Sequence, residues 1–175
     1  MSTNNFDLLV GGDICIANSF VNLATADTLG DFVSMKHNDK LYALILMPAG
    51  TASEPAVISL QQATDNAATG VKTLNITDLH YKTGADLAAV ASWTKVSTID
   101  RQDSVASWSG GTVGAATDQQ AVLIRIHADD LDVNNGFSYV RTKIADTGSG
   151  ARTSVVIYIV PSTAYQGLRK PVLTA

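Results

Sequence analysis

Three histidines, one cysteine and sixteen carboxylates are the groups in this 175-residue chain that could hold a metal or move a proton. Zinc needs several His or Cys ligands brought together at short spacings. His37, His80 and His127 stand on separate predicted elements, with no H-x-x-x-H pair and no Cys neighbour. They read as surface or strand histidines. Calcium asks for alternating oxygen ligands, and Asp130-Leu131-Asp132-Val133-Asn134-Asn135-Gly136 opens like such a loop. Its glycine comes one place late and Arg141 stands where the closing glutamate belongs, so the stretch reads as an Asx-rich turn joining two strands. A serine nucleophile would be announced by G-x-S-x-G between a strand and a helix, and that motif is absent; Ser109-Gly110-Gly111 has no helix after it. Gly148 and Gly150 read as a hairpin turn between strands at 137–144 and 154–160, because no helix follows to make a nucleotide loop. Tyr81, Trp93 and Trp108 could stack on sugar rings, against the commoner use of Trp in a core or a subunit seam. No catalytic, cofactor-binding or metal residue is assigned, no cofactor is expected, and the chain is not expected to be an enzyme.

The elements that would have to position such groups are short and strand-like. Apolar or alternating runs at 14–22, 32–35, 41–47, 57–62, 71–77, 93–98, 121–127, 137–144 and 154–160 are separated by turn residues such as Pro48-Ala49-Gly50, Lys82-Thr83-Gly84 and Asn134-Asn135-Gly136. Val122, Ile124 and Ile126 fall on one side of their strand, with Leu123, Arg125 and His127 on the other. Helix signals are weak and short, at 24–29 and 85–91. The expected fold is all-β: a single-domain antiparallel β-sandwich over 13–161, jelly-roll-like first and a partly closed barrel second, with an N-terminal arm at 1–12 and a C-terminal arm at 162–175.

Composition narrows the function. Hydrophobic residues make up 46% and charged residues 16%, which leaves a surface of Thr, Ser, Asn, Gln and small side chains suited to burial against neighbours. The net charge of −4, with the twelve Lys and Arg scattered, argues against a nucleic-acid partner. The longest apolar runs, 41–48 and 155–161, fall far short of the roughly 20 residues that span a bilayer, so no membrane partner is expected. The N-terminus lacks the basic residues and apolar core of a signal peptide. Cys15, between Ile14 and Ile16, reads as a core strand position without a disulfide partner, consistent with assembly in a cytoplasm.

Several phrases resemble a known group. The segment AVISLQQATDNAATGVKTL at 56–74, then His80-Tyr81-Lys82, Trp93-Thr94-Lys95-Val96 and DLDVNNGFSYVRTKIADTGSGARTSVVIYIV at 130–160, resemble tailed-bacteriophage virion proteins that decorate or cement the capsid shell and stabilise the head. The resemblance covers roughly two thirds of a chain sized for one domain. It implies a non-enzymatic protein made in the host bacterial cytoplasm and located on the outer capsid surface of the virion. Its partners would be the major capsid protein and itself, as a dimer or trimer. Alternatives are a tail or head–tail junction protein, or a carbohydrate-binding β-sandwich module. The terminal arms carry the apolar residues Phe6, Leu8, Leu9, Tyr165, Leu168, Val172 and Leu173 beside glycine and proline, with Arg169 and Lys170 as the lone basic pair. These are the expected contacts to capsid or sister subunits, ordering on a neighbour if they are more than frayed ends.

Overall fold

In the computed structural model, residues 12–24, 26–90, 92–110, 116–145 and 152–161 are described. β-Branched and aromatic residues in runs broken by Gly, Pro, Asn and Asp build strands β1 (Gly12–Asn22), β2 (Thr28–Leu29), β3 (Val33–Ser34), β4 (Lys40–Met47), β5 (Val57–Ala63) and β6 (Lys72–Leu74). The series continues with β7 (Leu79–Gly84), β8 (Thr94–Lys95), β9 (Ser107–Ser109), β10 (Gln119–His127), β11 (Tyr139–Ile144) and β12 (Thr153–Pro161). One sheet, here sheet A, has the order β1-β12-β4-β10-β7-β8; the other, sheet B, runs β2-β11-β5-β6, with β3 also on β11 and β9 also on β5. Every strand pair is antiparallel.

The pairing is nested in sequence. β5 pairs β6, β4 pairs β10, β2 and β3 pair β11, and β1 pairs β12. Such a ribbon, folded over so that its alternate pairs fall in opposite sheets, is a jelly roll. β7 and β8 extend sheet A beyond β10. The core lies between the sheets, with Leu41, Ala43, Ile45, Val122, Ile124, Val156 and Val160 from sheet A facing Ile58, Leu60, Val140 and Ile144 from sheet B. Each large aliphatic side chain so buried contributes about 1.5–3 kcal/mol.

Two polar fastenings brace the sandwich, the first between the sheets and the second within sheet A. Along β11 the ladder breaks between β2 and β3; there the Thr142 carbonyl accepts from the Gly30 N–H at 2.9 Å, and the Thr142 N–H donates to the Tyr158 hydroxyl at 2.8 Å. A side chain at position 30 would have its Cβ 2.7 Å from that hydroxyl, so the close approach needs Gly30. At the start of β12, buried Arg152 donates to the carbonyls of Pro48 and Asp118 and to Gln120 Oε1 at 3.1–3.3 Å. That ties β12 to the ends of β4 and β10.

Several sequence expectations are corrected. The strand at 93–98 shrinks to Thr94–Lys95, and 71–77 to Lys72–Leu74 plus an isolated bridge of Ile76 to Val105. The weak helix at 85–91 is a single 3-10 turn at Leu87–Ala89, and 24–29 holds β2 instead. β7 was not anticipated, because Leu79-His80-Tyr81-Lys82 has no clear apolar period; pairing with β10 decides it. Gly148 and Gly150, expected at a hairpin turn, lie outside the described residues; the strands on either side of them, β11 and β12, belong to different sheets.

Candidate interaction surface

Sheet A has an outer face on which no described strand lies. In β4 and β12 the inward positions are buried and, past the exposed Lys40 and Thr153 at the strand starts, the outward ones are half-buried in strict alternation, yet those outward residues are also apolar. Cross-strand register assembles them into rows. One row is Ile16, Ile157, Leu44 and Leu123, continuing into His80 and Lys95. A second is Ile14, Ile159, Tyr42 and Arg125, and a third is Val155, Leu46, Ala121 and Lys82. Ile14 and Ile16, on the edge strand β1, are 48% and 60% exposed. The face is therefore apolar across β1, β12, β4 and the start of β10, and basic toward β7 and β8.

Sheet B is built the opposite way. Its outward residues include Tyr139, Arg141 and Lys143 on β11, Ser59 and Gln61 on β5, and Thr73 on β6, joined laterally as Arg141–Gln61–Thr73. The Arg141 Nε–H donates to Gln61 Oε1 at 2.8 Å, and its guanidinium lies 4.4 Å from the Phe32 ring centre. Water can solvate that face. An antiparallel sheet normally presents one solvated face, with apolar and polar residues alternating; sheet B does so and sheet A does not.

The groups that could do chemistry are dispersed or self-paired. A shallow cleft of about 350 Å³ is lined by Thr77, Asp78, Lys95, Asp100, Arg101, Gln102, Arg125 and His127. Asp78 is buried and its carboxylate pairs with the Arg125 guanidinium, with His80 Nδ1 3.4 Å from the other oxygen. Arg101 pairs with Asp129 at 2.8 Å and with Asp130 at 3.2 Å, which holds the Asp129 carboxyl below its ordinary range. Asp100 is likewise held low by the backbone N–H groups of Asp103 and Gln102. Charges cancel inside the cleft instead of pointing at a ligand. Among the described residues, no group of three or more His, Cys, Asp and Glu is placed to hold a metal.

The Asp130–Gly136 stretch forms 3-10 turns at Ala128–Asp130 and Val133–Asn135 that carry β10 into β11. Its carboxylates are occupied from within. Asp130 Oδ2 accepts from the His127 N–H and the Thr77 hydroxyl at 3.0 and 3.1 Å, and Asp132 takes Lys72 and the Asn135 amide. Lys72 holds the Asp132 carboxyl below its usual range. Gly136 closes the turn at φ 82°, the left-handed conformation glycine tolerates. The aromatic trio does not form a platform either. Trp108 is buried with Tyr81 6.2 Å from it, while Trp93 stands apart, 39% exposed with the Lys82 ammonium 5.4 Å from its ring.

Cys15 is half-buried on β1, and burial with the nearby Asp13 charge pushes its thiol up to about 11. Tyr158, wholly enclosed, is pushed up to about 12 by burial. Both are inert groups at neutral pH. The contact residues expected at the termini, Phe6, Leu8, Leu9, Tyr165, Leu168, Arg169, Lys170, Val172 and Leu173, all lie outside the described residues. The apolar residues of the sheet A face are not among the contacts expected from the sequence, which lie at the termini. Its signal was present in the runs 41–48 and 155–161, which are apolar at successive positions where a strand with one wet face would alternate.

No protein-family model matches the chain, and no curated protein matches it. Among solved structures, the chain is similar to the SPBc2 prophage-derived protein YomS, at 12% identity and a TM-score of 0.45 over 86% of this chain and 93% of that one.

Proposed function

We propose that this chain is a non-enzymatic virion structural protein of a tailed bacteriophage that binds the outer capsid surface and cements contacts between major capsid protein subunits. The observation that carries the reading is the asymmetry of the sandwich, one outer face apolar and covered by no described strand, the other polar. An apolar face of this size on a folded domain is a surface to be covered by protein. The virion phrases at 56–74 and 130–160 give that surface its setting. The jelly roll is compatible with both capsid and lectin roles and does not choose between them. Repetition over a shell turns modest single contacts of roughly 1,200–2,000 Å² into large collective stabilisation. No substrate enters the mechanism. Imaging of phage particles with and without the protein tests this: added density spread over the shell is the expected result. Density confined to a tail or portal vertex transfers the protein to the tail or head–tail junction, and binding to glycans with none on particles overturns the virion reading.

A further inference from the structure

We propose that the outer face of sheet A is the surface through which two copies of this chain pack, face to face, about a two-fold axis running along the strands between β12 and β4. This deepens the reading of that face as protein-covered and does not depend on where in a virion the assembly sits. Size selects the occupant. β4 is eight residues long, so the face measures about 27 Å along the strands and about 19 Å across β1, β12, β4 and β10, or roughly 500 Å² in projection. The accessible area of its corrugated side chains exceeds that projection, on the scale of the roughly 800 Å² that a standard interface takes from each partner. A single extended segment, whether 1–11 or 162–175, would cover a strip of that face about one strand wide out of the four. A second sheet, stacked about 10 Å away, covers them all.

Charge selects the axis. On the outer face of sheet A, Arg125 and His80 share the Asp78 carboxylate, which leaves Lys82 and Lys95 as the basic groups of the β7–β8 margin. An axis across the strands would stack β7 on β7 and set these cations against each other. An axis along the strands lays β10 of one copy over β1 of the other, so Arg125 meets the apolar edge at Ile14, and Leu44 faces Ile157 at the centre. The two basic margins then stand at opposite ends of the contact, open to water. Self-complementarity of this kind is what an isologous pair requires.

Sedimentation of the purified full-length chain at 1–50 µM tests the proposal. A dimer, or a larger even-numbered assembly of such dimers, is expected. Leu44→Lys and Ile157→Lys, at half-buried outward positions, should each raise the dissociation constant at least tenfold, while Lys143→Glu on sheet B should not. Hydroxyl-radical footprinting of the unmodified protein serves if the lysine variants do not fold: Ile16, Leu44 and Ile157 should become protected as concentration rises into the dimer range. A monomer at every concentration overturns the proposal, as does a trimer. So does a dimer that survives both lysine substitutions in folded protein, or one abolished only by deleting 1–11 and 162–175. Any of these leaves shell binding, judged by imaging, unaffected.

Discussion

Tyr158 shows how one side chain can substitute for a missing piece of ladder. Its hydroxyl serves the Thr142 N–H where β2 and β3 leave β11 unpaired. Tyr158→Phe removes that acceptor and leaves a buried N–H unsatisfied, so we expect a loss of about 1–3 kcal/mol in urea melts at pH 7. The phenol also makes the fold sensitive to base. Its pKa is raised from 10.0 to about 12 in the folded protein, so the folded state binds a proton that the unfolded chain releases. The stability this confers is full below pH 10 and is lost as pH rises to 12, by about 3 kcal/mol in total. Tyr158→Phe should flatten that part of the stability curve. Cys15, raised from 9.0 to about 11, adds a weaker loss in the window from pH 9 to 11, reduced by solvent screening. Its shift also slows its chemistry. At pH 8 its thiolate fraction falls about 100-fold, so Ellman's reagent should react correspondingly slowly until denaturant is added. Rapid labelling of native protein would contradict this.

At the scale of elements, strand ends are held by polar groups buried where strands stop. Arg152 gathers carbonyls from Pro48 and Asp118 and is held by Gln120, which in turn donates to the Gly110 carbonyl at 3.2 Å. A Cβ at position 110 would lie 2.4 Å from Gln120 Oε1, and that amide cannot retreat without releasing Arg152. Gly110→Ala should therefore cost about 1–3 kcal/mol, and Arg152→Met about 3 kcal/mol, in thermal or urea unfolding. The turns between β10 and β11 predict the opposite outcome. Lys72 and Asp132 are an exposed pair, so Asp132→Asn should cost less than about 1 kcal/mol. Neither EDTA nor calcium should shift the melting temperature, and a rise of several degrees with calcium would show that the loop opens to bind it. Element by element, the sequence was most legible where alternation was strong. β10 and β11 carry period-two patterns, and their inward sets Val122, Ile124, Ile126 and Val140, Thr142, Ile144 are buried as that pattern predicts. β2 and β9, at two and three residues, are too short to carry a period, and only their partners on β11 and β5 define them.

For the molecule as a whole, the sandwich is one-sided: one outer face suited to water and one to protein. The first and last described residues, Gly12 and Pro161, pair with each other at one corner of sheet A, across β1 and β12. Deleting 1–11 or 167–175 should leave the thermal melt of the free protein nearly unchanged and reduce its occupancy on undecorated particles. The part owed to Arg169 and Lys170 should weaken with salt. Occupancy measured by gel or imaging checks this; full occupancy without both segments refutes their role as contacts to capsid or sister subunits, and loss of folding places them in the core.

Strand content, the all-β class and the inward residues of β10 and β11 were determined by the sequence alone, because they follow from a local period of two and from turn residues that act within a few positions. The apolar character of 41–48 and 155–161 was equally plain, but periodicity is blind to which strands become neighbours. Only nested pairing placed β12 between β1 and β4, and only that adjacency gathers Ile14, Ile16, Tyr42, Leu44, Ile157 and Ile159 onto one face. Residues more than a hundred positions apart meet there through backbone hydrogen bonds that any strand could make. The choice among partners rests on how the whole chain buries its core, so the candidate surface is a property of the tertiary structure.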